Sequence, residues 1–258
     1  MLIHEAKSRD AADAAVRLMD CVKLSRTLAF RRKYDAARQR VEEFLHLSSR
    51  PVISCGGGKD STAISIIARA VDGSIPILCA DPPNPLTDRE SHVRALLQWL
   101  GGECVRVSYD WDVRAVLRGE APYPEGLKMR ALSRWHKEHG IDGVILGIRA
   151  SESVARRANL GHRGFVYPVQ GGYRCQPIAD MNAAEVLCVA LMHDAPVNPV
   201  YVKQTGMLDF DMIHDGTWWP HGFYDNSSWI RRYYPEFYES HMAAKAVYRA
   251  ERSLICAY

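Results

Sequence analysis

The sequence predicts an α/β protein: a mostly parallel, doubly wound sheet with helical extensions at both ends. Two observations carry this prediction. From residue 50 to about residue 193, short apolar runs of strand length alternate with stretches whose apolar residues recur at helical spacing, and strands separated by crossover helices pair in parallel. The chain also has the bulk for one sizeable core, with 258 residues, 47% of them hydrophobic and 24% charged.

Residues 5 to about 47 contain neither Gly nor Pro and place Ala15, Leu18, Met19 and Val22 at helical spacing, so one or two amphipathic helices lead into the main domain. Arg26, Arg31, Arg32, Arg38 and Arg40 are expected on a solvated face there. The first strand is PVISC (51–55), followed by a helix over 60–71; IPILCA (75–80) precedes a helix over 87–100. ECVRVSY (103–109) leads through an irregular stretch to a helix over 125–139, and DGVILG (142–147) is the fourth strand. Segments 161–181 and 195–230 are rich in Gly, Pro, Asn and aromatics and read as long ordered loops around a helix over 182–193. A last helix is expected from near Pro235, with Trp229, Tyr233, Phe237 and Tyr238 packing against the core. The organisation is thus a helical segment 1–48, an α/β domain 49–205, and an aromatic-rich loop and helix 206–258 packed on it.

Several classes are disfavoured. A net charge of +3 is no polycation of the kind that binds nucleic acid indiscriminately. The seven cysteines are scattered without a C-x-x-C pair, which argues against a disulfide framework and a Cys-rich metal site and favours a reducing cytoplasm. No segment approaches the roughly 20 apolar residues of a membrane span, and the N-terminus lacks the apolar region of an export signal.

The informative stretch is RPVISCGGGKDSTA (50–63), where an apolar strand stops at three glycines and a helix begins. A helix N-terminus offers backbone N–H groups and partial positive charge, and Gly56, Gly57 and Gly58 let the backbone turn sharply and approach a phosphate. Lys59 adds charge, and Ser61 or Thr62 can cap the helix or donate to a phosphate oxygen. Together these residues form a di- or triphosphate cradle. It is not a Walker A loop, because Ile53 stands at the first glycine position and Asp60 follows the lysine; nor is it G-x-G-x-x-G, because Ser61 replaces the last glycine.

GGGKDS resembles the S-G-G-x-D-S pyrophosphate loop of the adenine nucleotide alpha hydrolases, the Rossmann-like superfamily of N-type ATP pyrophosphatases and phosphoadenosine phosphosulfate (PAPS) reductases. The likeness runs toward the PAPS reductase branch through LCADPPNPLTDRESHVRALLQWLG, then LKMRALSRWHKEHGIDGVILGIRASESVARRA with its G-x-R-x-x-x-S, then QPIADMNAAEVLCVALMHDAPVNPVY with its Pro-x-Asn-Pro-x-Tyr loop. It spans roughly residues 45–205. Gly56 replaces the serine of the loop motif. The sulfur-chemistry motifs are also missing: Tyr123 and Pro124 stand near one cysteine-pair position, DGTWWPHG replaces another, and only Cys256 lies near the C-terminus, outside the family's Glu-Cys-Gly context. No iron–sulfur cluster is therefore expected.

Ligands of an open parallel sheet sit beyond the carboxyl ends of its strands. Ser54 to Gly58, Asp81, and Gly147 with Arg149 all follow predicted strands. In the expected cleft Lys59, Asp60 and Arg149 are catalytic. Ser54, Gly56, Gly57, Gly58, Ser61, Thr62, Asp81, Gly147 and Arg156 bind the nucleotide, and Asp60 holds Mg²⁺. Asp81, by resemblance, lies near the adenosine. Lys128, Glu152 and Arg157 fit surface salt bridges equally well, and Asp209, Asp211, His214, Asp215 and His221 meet no known metal-ligand spacing.

The expected function is adenine-nucleotide chemistry of the ATP pyrophosphatase type: cleavage between the α- and β-phosphates with adenylylation of an acceptor, in sulfur transfer or nucleic-acid modification. One alternative is a PAPS reductase using Cys256. Another is a non-catalytic nucleotide-binding subunit of a modification complex. The partners in view are the adenine nucleotide (ATP or PAPS), a nucleic-acid or protein acceptor and a second copy of the chain, with no membrane.

Overall fold

The computed structural model of the chain describes residues 8–81, 87–112, 115–116, 120–121, 126–204, 227–240, 242–243 and 246. Its frame is a six-stranded sheet of β1 (Pro51–Cys55), β2 (Ile77–Asp81), β3 (Cys104–Ser108), β4 (Gly143–Ile145), β5 (Val166–Val169) and β6 (Gly172–Cys175), in the order β3-β2-β1-β4-β6-β5. Every pairing is parallel except β5 with β6. β1 registers Ile53 on Ile77 of β2 and on Ile145 of β4, so the most buried apolar positions stack across the centre of the sheet. Strands covered on both faces need continuous apolar runs, which PVISC and ILCAD supply.

Helices cover both faces. On one side α2 (Leu28–Leu47), α3 (Lys59–Val71), α4 (Thr87–Leu100) and α7 (Ala183–Met192) build the large core, through Phe30, Val41, Phe44, Ile64, Ile67, Leu96 and Val186. The helix of Ala183–Met192 lies between α3 and α1 (Ser8–Ser25), which explains why seven of its residues are buried and its sequence is apolar nearly all round. On the other side α5 (Leu127–Glu138) sets Leu132 and Trp135 against Val52, Leu78, Ala80 and Val144. Eight residues separate β4 from α6 (Val154–Arg163), and α8 (Val200–Gln204), α9 (Ser227–Tyr233) and further helix from Pro235 follow.

The strand order places the switch point between β1 and β4, since the chain winds from β1 toward β3 and only then returns to β4 on the other side. The carboxyl ends of these two strands, which lead to Gly56 and to Gly147, therefore diverge around one crevice.

Three expectations change. Segment 161–181 is not all loop: it holds the end of α6 and the β5–β6 hairpin. Pro168 argued against a strand, but β5 is the outer strand of the sheet, where a missing N–H is tolerated, and Gly171 and Gly172 (φ 82° and 146°) make the turn. Segment 195–230, expected as loop, holds α8 and the start of α9, with Trp229 fully buried; helix resumes at Pro235 as anticipated, and Tyr233, Phe237 and Tyr238 pack against the core. Arg40 is not solvated but grips Asp180 with two nitrogens, at 2.7 and 2.9 Å. Residues 123, 124, 209–221 and Cys256 lie outside the described residues. No helix among the described residues is long and apolar enough to cross a membrane.

Candidate functional site

The glycine loop is held by its carbonyls. Gly56 O accepts from Arg89 Nη2 at 3.3 Å, Gly57 O from His92 Nε2 at 2.9 Å, and Gly58 O from Ser61 Oγ at 3.0 Å and from Thr62 N at 2.9 Å. No peptide among the described residues is cis, so the amides of Gly57, Gly58 and Lys59 point away from the groups that bind those carbonyls. The Gly57 amide faces the Cys55 sulfur, and the Lys59 amide donates to Tyr201 Oη at 2.6 Å. With those two amides bound inside the protein, the Gly58 amide and the first-turn amides of α3 are what the positive end of this 13-residue helix offers an anion. Gly57 must be glycine: its φ is +82°, and a Cβ would stand 2.7 Å from Val93 Cγ2.

The predicted loop residues divide by orientation. Ser61 secures the loop internally, accepting from Gly56 N at 3.1 Å while donating to Gly58 O. Thr62 is buried in the helix, and Ser54 remains part of β1 beside Leu78.

Beside the loop lies a buried ionic cluster. Arg149 is fully buried; its Nε donates to Asp60 Oδ1 at 2.5 Å and its Nη1 to Ser151 Oγ at 2.8 Å. Asp60 Oδ2 is 3.4 Å from Lys59 Nζ. Burial pulls the Lys59 pKa down, and the Asp60 charge opposes that pull. Gly147 brings the two halves together. A Cβ there would sit 2.8 and 2.9 Å from Asp60 C and O and 3.0 Å from Ser61 N, so the end of β4 touches the first turn of α3 directly. Gly147 thus sets the Arg149–Asp60 distance by close approach. Arg156 stands at the rim on α6, half exposed and paired with Glu152, which also accepts from Arg149 N at 3.0 Å.

Mg²⁺ does not fit Asp60 as arranged, because both carboxylate oxygens already face cations, and magnesium needs oxygen ligands with room for near-octahedral coordination. No group of three or more His, Cys, Asp or Glu among the described residues could hold a metal ion.

Asp81, at the end of β2, is bracketed by Arg106 Nη2 at 2.6 Å and Arg89 Nη1 at 3.4 Å. Arg106 also grips Glu90, whose pKa that bond holds at about 2. Arg89 therefore joins Asp81 to the glycine loop. Arg89, His92 and Tyr201 were not singled out from the sequence. The available signals were that Arg89 and His92 fall three apart on α4, on one helix face, and that Tyr201 closes the Pro-x-Asn-Pro-x-Tyr stretch.

His92 gives the site a pH dependence. Burial pulls its pKa down to about 4, against about 6.5 for an unfolded histidine, so it is the neutral Nε2–H form that binds Gly57 O. As pH falls from about 6.5 toward 4 the unfolded chain takes up a proton that the folded chain refuses, so stability declines, by up to about 3 kcal/mol. Urea unfolding across this range should show that decline, flattened in His92→Gln to the smaller slope left by His136, whose pKa burial also lowers, and near pH 4 by carboxylates held low, Glu90 and Asp142. An unchanged profile in His92→Gln would refute the assignment.

Comparison with known proteins identifies the fold and the family. A profile of the phosphoadenosine phosphosulfate reductase domain matches residues 50–234. No curated protein matches the sequence significantly. Among solved structures, the phosphoadenylyl-sulfate reductase of Candida auris, a phosphate complex, superposes with a TM-score of 0.53 at 12% identity, over 67% of this chain and 86% of that one. The FMN adenylyltransferase of Candida glabrata, in complex with FAD and inorganic pyrophosphate, gives 0.50 at 14% identity, over 74% and 68%. The profile covers well over half of the sequence and the solved structures share the fold, so the chain belongs to the phosphoadenosine phosphosulfate reductase domain family.

Proposed function

We propose that this chain binds ATP at the β1/β4 switch point and cleaves it between the α- and β-phosphates, transferring the adenylyl group to an acceptor. An oxygen of the acceptor attacks the α-phosphorus, the bond to the bridging oxygen breaks, pyrophosphate leaves with that electron pair, and the acceptor's proton passes to solvent. The observation that carries this reading is the glycine loop, whose carbonyls are bound from behind by Arg89, His92 and Ser61. In this reading its amides hold the departing pyrophosphate, and Lys59 neutralises charge as it develops. Arg149 and Asp60 act as positioning residues that keep Lys59 beside the loop. Asp81 and its arginines border the nucleoside, and Arg156 marks the acceptor side. The pyrophosphate in the adenylyltransferase complex is consistent with such a site.

A sulfonucleotide reduction would need an accessible thiolate. The cysteines on the strands nearest the loop are poor candidates: burial raises the Cys55 pKa and lifts that of Cys79 to about 12.

Pyrophosphate release from ATP should be detectable with the wild-type chain and fall by about 100-fold or more in Lys59→Ala. Sulfite release from PAPS, lost in Cys256→Ser, would establish the reductase instead. Nucleotide binding without turnover in the presence of candidate acceptors would make the chain an accessory subunit.

A further inference from the structure

We propose that Tyr201 is a phosphate-contacting residue of this site, its hydroxyl donating to a phosphoryl oxygen of a di- or triphosphate. The inference rests on the nucleotide reading above and adds a donor to it.

Tyr201 Oη accepts the Lys59 amide at 2.6 Å, at the first residue of α3. The carbonyl of that same peptide, Gly58 O, is bound on its other side by Ser61 Oγ and Thr62 N. The hydroxyl therefore lies on the amide face of the loop, where an anion at the helix N-terminus would approach. A phenol that accepts from an amide still carries its own O–H, and acceptance polarises that O–H into a better donor. The Tyr201 ring, buried at 5% exposure, also stands 5.7 Å from Lys59 Nζ, so one side chain faces both the amide and the ammonium.

The placement is built rather than incidental. Tyr201 lies on the short helix α8, whose start is fixed by Asn198: its Oδ1 accepts from Val200 N at 3.1 Å and its carbonyl from Tyr201 N at 3.0 Å. Two residues on, Lys203 bonds to Asp88 at the start of α4 and to Tyr234 Oη at 3.2 Å. A helix of five residues is thereby braced against α4 and the C-terminal segment, with its tyrosine directed at the loop. Such a donor discriminates by charge and reach: it serves a ligand that places a phosphoryl oxygen at the helix N-terminus and is indifferent to a nucleoside monophosphate bound at the nucleoside end.

Calorimetric titration with inorganic pyrophosphate and with AMP tests this. Tyr201→Phe, which keeps the ring, should weaken pyrophosphate by about tenfold and leave AMP within about twofold. Thermal unfolding establishes that the variant is folded. Equal pyrophosphate affinity in a folded Tyr201→Phe would overturn the proposal and leave the nucleotide reading standing. Tighter binding would overturn it too, by showing that the hydroxyl competes for the Lys59 amide. If the wild-type chain binds neither pyrophosphate nor ATP below about millimolar, the nucleotide reading fails first and the role of Tyr201 falls with it.

Discussion

Asp60→Ala is expected to destabilise the fold by about 3 kcal/mol, because it removes the nearer of two carboxylates paired with a buried guanidinium and leaves only Glu152, at 3.8 Å from Arg149 Nη2. Arg149 is fully buried and Asp60 is only 17% exposed, so neither charge is screened as it would be on the surface. Lys59 suffers as well. Burial already lowers its pKa, the Asp60 charge is the largest influence holding it up, and the neighbouring Arg149 charge lowers it further. Asp60→Ala should therefore move the lysine toward its neutral form and remove turnover along with stability. Urea unfolding measures the first effect. Adding Arg149→Met to Asp60→Ala should recover part of the loss, since the buried cation that lost its nearer carboxylate is then gone. A loss below about 1 kcal/mol in Asp60→Ala would show that the pair behaves as an ordinary surface ion pair.

Gly147→Ala should cost about 1–3 kcal/mol and weaken pyrophosphate binding by at least about tenfold, an effect set by geometry alone. The methyl would meet backbone atoms of Asp60 and Ser61 at 2.8 to 3.0 Å, and backbone in the first turn of a helix cannot rotate aside as a side chain can. Relief requires β4 and α3 to separate, and that separation opens the Arg149–Asp60 bond and shifts the glycine loop. Gly56 provides the contrast. A Cβ there meets nothing within 4 Å, so Gly56→Ala should change stability by less than about 0.5 kcal/mol. Unfolding curves for the two variants decide the matter, and equal losses would defeat the close-approach account.

The glycine loop was legible in the sequence because its chemistry is local. Strand, glycines, lysine and helix start are contiguous, and the failure of the Walker spacing at Asp60 was visible without a structure. The parallel sheet was legible for a similar reason, since buried strands and crossover helices leave different periodicities. The partners of the loop were not. Arg89, His92 and Tyr201 act on backbone atoms, and a backbone carbonyl or amide has no sequence signature to match against a distant side chain. Asp60 and Arg149 were each singled out, but as separate ligand contacts; only the approach of β4 to α3 shows that they bind each other. The β5–β6 hairpin was missed because Pro168 and the glycines read as loop signals, and its edge position, which makes the proline harmless, is a property of the whole sheet.

The backing of the loop carbonyls bears on how far the motif can travel. Residues 55–62 carry the glycines and Ser61, but the anchors on the Gly56 and Gly57 carbonyls come from α4, one strand and one helix further along. Grafted alone onto a foreign strand and helix, the octapeptide would leave two peptides at liberty to flip, and a flipped peptide presents oxygen where the proposed phosphate site needs hydrogen. The smallest transferable unit is therefore β1 through α4, and a search for this motif gains specificity by asking for the arginine and histidine of that second helix as well as for the glycines.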